Sequence, residues 1–153
     1  MITALNIRFP CIRRASIMQV EQATPKTDGV EDAVIAILSQ NAQATGFPFR
    51  PEPVVLKIEE EGRVIAGLVG FTNWEWLYIE TLAVDAAYRG KGLGSKLVEQ
   101  AERIALERAC RGVWVDTFTF QSPEFYSRLG YKPFGQLEDF PQGQRRIFLR
   151  KLL

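Results

Sequence analysis

The segment Ala83-Val84-Asp85-Ala86-Ala87-Tyr88-Arg89-Gly90-Lys91-Gly92-Leu93-Gly94-Ser95 constrains this chain more than any other. It reads as the end of a strand, a glycine-rich turn and the start of a helix. Glycines at 90, 92 and 94 allow dihedrals closed to other residues and let a ligand approach the backbone. Exposed N–H groups at a helix start, together with the helix dipole, make an anion site. Arg89 and Lys91 add positive charge, so the expected ligand is a pyrophosphate. Two other phosphate loops fit poorly. Gly90-Lys91 is followed by Gly92, where a Walker A loop requires Ser or Thr, and the spacing is G-x-G-x-G, not the G-x-G-x-x-G of a dinucleotide fold. A turn with no ligand would be the plain reading of the glycines alone. Arg89, the amphipathic helix that follows and the segment further downstream weigh against it.

That helix is expected over Leu93 to Arg108, with Leu93, Leu97, Ala101, Ile104 and Ala105 as its apolar stripe. Before the turn, Val54 to Glu59 and Arg63 to Thr72 read as strands joined by a Glu60-Glu61-Gly62 hairpin, and Trp76 to Val84 as a third strand. After the helix, Gly112 is its expected stop and Val113 to Phe118 a strand. Ser122-Pro123 opens a short helix, with Ser as cap, and Gly130 closes it. Tyr131 to Gly135 and Arg145 to Leu152 form a last pair. Near the N-terminus, Val30 to Ala44 predicts a helix with Val34, Ile37 and Leu38 on one face, ended by Gly46. The expected class is α/β (α+β): helices packed on a mixed, mostly antiparallel twisted sheet.

At 153 residues the chain suits one domain, 1–153,. Residues 1–17 read as an N-terminal extension, since Met18 can itself begin a compact domain. Net charge is +1, which gives no footprint for nucleic acid or an anionic membrane. The apolar stretch Val64 to Phe71 is far short of the roughly 20 residues of a membrane span. Cys11 and Cys110 suggest neither a disulfide framework nor a zinc site, so a reducing, cytoplasmic setting is expected. The chain has no histidine. Serine and cysteine triads built on His, and the H-E-x-x-H zinc site, are therefore excluded.

The segment Arg89-Gly90-Lys91-Gly92-Leu93-Gly94 resembles the pyrophosphate signature of the GNAT superfamily of N-acetyltransferases. Leu82-Ala83-Val84 looks like that family's strand end, and Phe125-Tyr126-Ser127-Arg128-Leu129-Gly130-Tyr131 looks like its second signature. The resemblance covers roughly Val54 to Leu153. It implies a GNAT fold with an acyl-CoA, expected to be acetyl-CoA, in a cleft between central strands, and no metal. Backbone amides along Leu82, Ala83 and Val84 would hold the pantetheine arm. Arg89, Gly90, Lys91, Gly92, Gly94 and Ser95 would hold the phosphates. Tyr126 would protonate the departing thiolate. The family's usual Asn and Ala before that tyrosine are here Thr119 and Ser122. The side-chain contact to pantetheine would then fall to Thr119 or Gln121.

Direct transfer to an amine needs a base, usually through water, because an ammonium has no lone pair. Glu80 and Asp116, each on a strand beside the expected cleft, are the candidates. The alternative is a surface charge pair, favoured for Asp116 and evenly weighed for Glu80. Cys110 reads as a structural thiol. The acceptor is a small-molecule or peptide amine. By alternation Trp74, Trp76, Tyr78 and Glu80 share one face of a strand. With Phe47 and Phe49 they suggest an aromatic and acidic pocket for a cation, against a face buried under a helix or at a dimer contact. A homodimer is expected through exposed aromatics and the last strand pair. Two other functions stay open: use of a longer acyl-CoA, and a CoA-binding regulatory or interaction domain without turnover.

Overall fold

A computed structural model describes residues 20–23 and 28–153. The extension expected over residues 1–17 lies outside the described residues. The chain divides into two units, residues 1–38 and 39–153. Helix α1 (Val30–Ala44) begins in the first and ends in the second, and none of its residues is buried. Val34, Ile37 and Leu38, the expected apolar face, are exposed.

Residues 39–153 carry a six-stranded sheet: β1 (Glu52–Glu60), β2 (Arg63–Asn73), β3 (Trp76–Val84), β4 (Gly112–Phe118), β5 (Lys132–Glu138) and β6 (Arg145–Leu152). The order is β1-β2-β3-β4-β6-β5. Every neighbouring pair is antiparallel except β3 and β4. A parallel pair needs a long crossover, and α2 (Leu93–Glu107) supplies it. A short helix, α3 (Pro123–Arg128), follows β4. Its expected cap, Ser122, makes no side-chain capping bond.

Helix α2 packs on β1 to β4. Leu97, Ala101 and Ala105 are buried as their spacing predicts, and Val98 joins them. They meet Val54, Leu68, Leu77, Ile79, Val113 and Val115 from the sheet. The helix stops before Gly112. Ala109 turns left-handed at φ 56°, and the N–H of Cys110 donates to the Ala105 carbonyl at 2.8 Å. This is a Schellman ending with Ala where glycine is usual.

Two hairpin turns differ in how visible they are. Glu61-Gly62 has positive φ at both residues, the primed turn that the sequence suggests. Trp74-Glu75 does the same, at φ 49° and 62°, without any glycine. Trp74, placed by alternation on the strand face, lies instead in the turn before the strand. Arg111 holds this turn from across the sheet: its N–H donates to the Glu75 carbonyl at 2.7 Å, and its guanidinium pairs with the Glu75 carboxylate.

The sheet carries one irregularity that matters for function. Along β2 and β3, Val69 faces Thr81 and Gly70 faces Ile79, so Glu80 is an extra residue. Leu77 and Ile79 point into the core before this bulge, while Leu82 and Val84 pack on the core after it. The inward residues switch from odd to even across Glu80. Gly70 makes the bulge possible, because a Cβ there would lie 2.2 Å from the Tyr78 carbonyl oxygen.

Candidate functional site

Strands β3 and β4 pair only from Trp76–Gly112 to Ile79–Val115. Beyond that point β3 stays with β2 as far as Val84, and β4 stays with β6 as far as Phe118. The two parallel strands therefore part at the Glu80 bulge. Residues 80–84 keep a backbone edge that β4 does not use. Unpaired N–H and C=O groups on such an edge are available to a ligand's amides. The resulting cleft has a volume of about 930 Å³.

At one end the cleft reaches the glycine-rich turn. Asp85 starts that turn: its Oδ1 accepts from the Ala87 N–H at 3.0 Å, and Arg63 pairs with its other oxygen. Gly90 and Gly92 sit at φ 74° and 76°, where a side chain would be strained. Gly92 is the N-cap of α2 and offers no side-chain cap. The N–H groups of Leu93, Gly94 and Ser95 precede the first intrahelical donor, Lys96, and have no partner in the helix. Arg89, Gly90, Gly92, Gly94 and Ser95 all line the cleft. Lys91 does not. Its ammonium lies 4.6 Å from the ring centre of Tyr88, a cation–π contact with a residue that does line the cleft.

The opposite wall is α3, where Tyr126 is buried yet lines the cleft. The second sequence signature is a helix ending. The N–H of Tyr131 donates to the Tyr126 carbonyl at 3.0 Å, and the N–H of Gly130 to that of Ser127 at 3.1 Å. This is a Schellman motif, with Gly130 left-handed at φ 91°,. The hydrophobic contact that accompanies such motifs is here Tyr126 on Tyr131, with ring centres 5.7 Å apart. The Tyr131 hydroxyl in turn donates to Glu102 at 3.0 Å. Phe125 packs edge-on against Tyr126 and lies where any Cβ on Gly94 would come, at 3.3 Å. The two signatures thus meet in space. The Tyr126 hydroxyl has no protein partner among the described residues. Burial first, and the Asp116 charge second, push its pKa up to about 12.

The two carboxylates differ. Asp116 lines the cleft with both oxygens engaged. The Tyr78 hydroxyl donates to Oδ1 at 3.0 Å, and Arg146 Nε donates to Oδ2 at 2.6 Å. Burial, then the Asp116 charge and hydrogen bond, raise the Tyr78 pKa, so Tyr78 remains a donor. Glu80 is exposed at the bulge, lines the cleft and pairs with no described residue. Thr119 does not line the cleft. Its hydroxyl donates to Gln144 at 2.7 Å and accepts from the Arg145 N–H at 3.0 Å, tying β4 to β6. Gln121 and Ser122 do line it. Gln121 accepts from the Thr117 hydroxyl at 3.0 Å through Oε1, which leaves its NH₂ group for a ligand. Cys110 is buried, which raises its pKa and makes it a poor nucleophile.

A second cavity, of about 600 Å³, lies across Tyr78 from the cleft. The expected aromatic pocket is there, with a different membership. Phe49, Trp74, Trp76 and Tyr78 line it, but Phe47 and Glu80 do not. The bulge has moved Glu80 off the Tyr78 face. Cross-strand register adds residues that alternation on one strand did not reveal. Phe71 faces Tyr78, Tyr78 faces Trp114, and Trp114 faces Arg150. Tyr78 and Trp114 stack with centres 3.9 Å apart. Trp114 alternates with the buried Val113 and Val115 and Arg150 follows the buried Leu149, a signal present in the sequence whose register was not.

Among the described residues no helix is long and apolar enough to cross a membrane, and no cluster of three His, Cys, Asp or Glu side chains is placed to hold a metal. Residues 18–131 match the acetyltransferase (GNAT) family. Blasticidin-S acetyltransferase of Streptomyces morookaense is 46% identical over 85 residues, which cover 55% of this chain and 62% of that protein. The match thus spans about three fifths of that relative's length. The crystal structure of an acetyltransferase from Bacillus cereus ATCC 14579 is similar with a TM-score of 0.77 at 32% identity, over 89% of this chain and 98% of that one. A protein from Bacillus anthracis str. Ames, assigned as a streptothricin acetyltransferase and solved with acetyl coenzyme A, shares the fold at TM-score 0.61 and 23% identity. That likeness covers 68% of this chain and 64% of the other.

Proposed function

Because the chain belongs to the acetyltransferase (GNAT) family, we propose that it moves an acetyl group from acetyl-CoA directly to a primary amine of a small molecule or peptide. One observation supports this most: the parted β3–β4 edge, the uncapped start of α2 and the Tyr126 hydroxyl all line one cleft. In this reading the pyrophosphate rests on Arg89, Gly90, Gly92, Gly94 and Ser95. The pantetheine amides follow the free edge of β3 at Leu82, Ala83 and Val84, with Gln121 and Ser122 on the facing side.

The thioester then lies by Tyr126. The ammonium of the acceptor gives one proton, through water, to Glu80, because both oxygens of Asp116 are already engaged. The freed nitrogen attacks the carbonyl carbon, and a C–N bond forms. The tetrahedral adduct collapses with loss of the C–S bond. Tyr126 gives its proton to the sulfur and recovers one, through solvent, from the acetylated nitrogen. A phenol with a pKa pushed up to about 12 keeps its proton throughout the neutral range. Asp116 positions Tyr78 and Arg146 beside the reaction and does not take the proton.

Thermal-shift titration with acetyl-CoA, longer acyl-CoAs and ATP tests the cofactor, and thiol release with a panel of amines tests transfer. Stabilisation by acetyl-CoA above the others, lost in Arg89→Ala, is the expected outcome. Preference for a longer acyl-CoA would select that donor instead. Binding without thiol release from any amine would select a CoA-binding domain. A homodimer belongs to the same reading, through β5, whose residues are all exposed at the end of the sheet. Light scattering should give twice the monomer mass, and a monomer at high concentration would remove it.

A further inference from the structure

The aromatic cavity has a polarity that its aromatic walls hide. An aromatic box usually attracts a cation, yet no carboxylate lines this one. Its one charged residue is Arg150, which forms no ion pair among the described residues and lies 5.7 Å over the Phe134 ring. The other polar side chain is Asn73. Its Oδ1 accepts from the Arg50 N–H at 2.9 Å, which fixes the orientation of the amide, and its Nδ2 is buried with no partner. Trp76 and Trp114 have indole N–H groups that donate and cannot accept. Tyr78 directs its hydroxyl at Asp116. The polar side-chain groups left to this cavity are therefore donors or a cation. The walls are flat rings, and Tyr78 and Trp114 form a stacked platform.

We propose that this cavity holds a planar aromatic or heteroaromatic ring of the acceptor, whose carboxylate or carbonyl edge faces Arg150 and Asn73. This rests on the acetyl-transfer reading and gives the acceptor a chemical class: a flat ring with an anionic or acceptor edge, joined to a primary amine. The Tyr78–Asp116 hydrogen bond connects the cavity to the cleft. A ring seated on Tyr78 thus sends its amine arm past Asp116 toward Glu80 and Tyr126. A flexible polyamine matches neither the rings nor the sign of the charge.

All three tryptophans of the chain, Trp74, Trp76 and Trp114, line this cavity, so intrinsic fluorescence reports on it. The probes are 4-(aminomethyl)benzoate, benzylamine and spermidine, titrated with and without acetyl-CoA. Saturable quenching by 4-(aminomethyl)benzoate is expected, about tenfold tighter than by benzylamine, with Arg150→Gln reducing the difference to about twofold through loss of the charge-assisted contact. Equal affinity for the two ring compounds, tighter binding of spermidine, or a preference that survives Arg150→Gln would overturn the proposal. Arg150 is exposed, so its replacement leaves the core intact. Acetyl-CoA affinity, measured calorimetrically on the same preparations, separates the two readings. Acetyl-CoA binding without selective ring binding overturns only this proposal. Selective ring binding without acetyl-CoA binding overturns the transferase reading and with it the acceptor role, and leaves the cavity as a ring-binding site alone.

Discussion

Tyr126 shows what one side chain owes to its surroundings. Its ring is wedged between Phe125 and Tyr131, while its hydroxyl has no protein partner. Removing the hydroxyl leaves no orphaned donor or acceptor behind. Tyr126→Phe should therefore fold normally and bind acetyl-CoA as the wild type does. If the phenol protonates the thiolate, turnover should fall by about 10²–10⁴-fold. Binding, melting temperature and turnover measured on one preparation decide this. Full turnover by a well-folded variant would remove Tyr126 from the chemistry. Because burial keeps the phenol protonated to about pH 12, its ionisation should not shape the rate profile between neutrality and pH 10.

Among the elements, the bulge in β3 does most to make a site. It lets β3 leave β4, places Glu80 at the parting and shifts the inward residues by one. Gly70 is its counterpart on β2, where a Cβ would overlap the Tyr78 carbonyl and crowd Ile79. Gly70→Ala must push the strands apart or erase the bulge. It should cost about 1–3 kcal/mol, the usual range for an overpacked interior, and also weaken acetyl-CoA binding. Urea midpoints and a CoA titration check both effects. A variant as stable as wild type, with equal affinity, would show that the bulge does not depend on this close approach. The sequence carried only a faint sign of it, a glycine within an apolar strand. The end of α2 is a parallel case: Ala109 adopts the left-handed turn, and its identity gives no hint of that.

For the whole molecule, the buried phenols of Tyr126 and Tyr131 and the half-buried phenol of Tyr78 set a response to alkali. Tyr126, Tyr131 and Tyr78 all have raised pKa values, with burial as the first cause. In the unfolded chain tyrosine titrates near pH 10. Below that pH both states keep these protons and the tyrosines contribute no pH dependence. From about pH 10 to 12 the unfolded chain loses protons that the native fold retains, so stability must fall as pH rises. Each fully retained proton steepens the fall by about 1.4 kcal/mol per pH unit. Urea unfolding at pH 9, 10 and 11 should show the decline, and Tyr126→Phe should lessen it by up to one proton. Equal slopes in the two proteins would mean that Tyr126 titrates normally.

Local chemistry explains what the sequence determined by itself. The glycine turn, the α2 stripe, the Glu61-Gly62 hairpin and the Gly130 stop depend on residues within a few positions of one another, so dihedral preference and periodicity reveal them. They suffice for strand order within each hairpin, for the phosphate-type turn and for the place of Tyr126 beside a helix end. Tertiary structure decided the rest. Which residue of β4 lies beside Tyr78 and where β3 parts from β4 depend on register between strands more than 30 residues apart, and which side of the sheet Glu80 serves depends on a bulge in the β2–β3 pairing. A single extra residue reverses every face beyond it. That is why an aromatic and acidic pocket read from one strand becomes two sites, with the acids in the cleft and the rings beside Arg150.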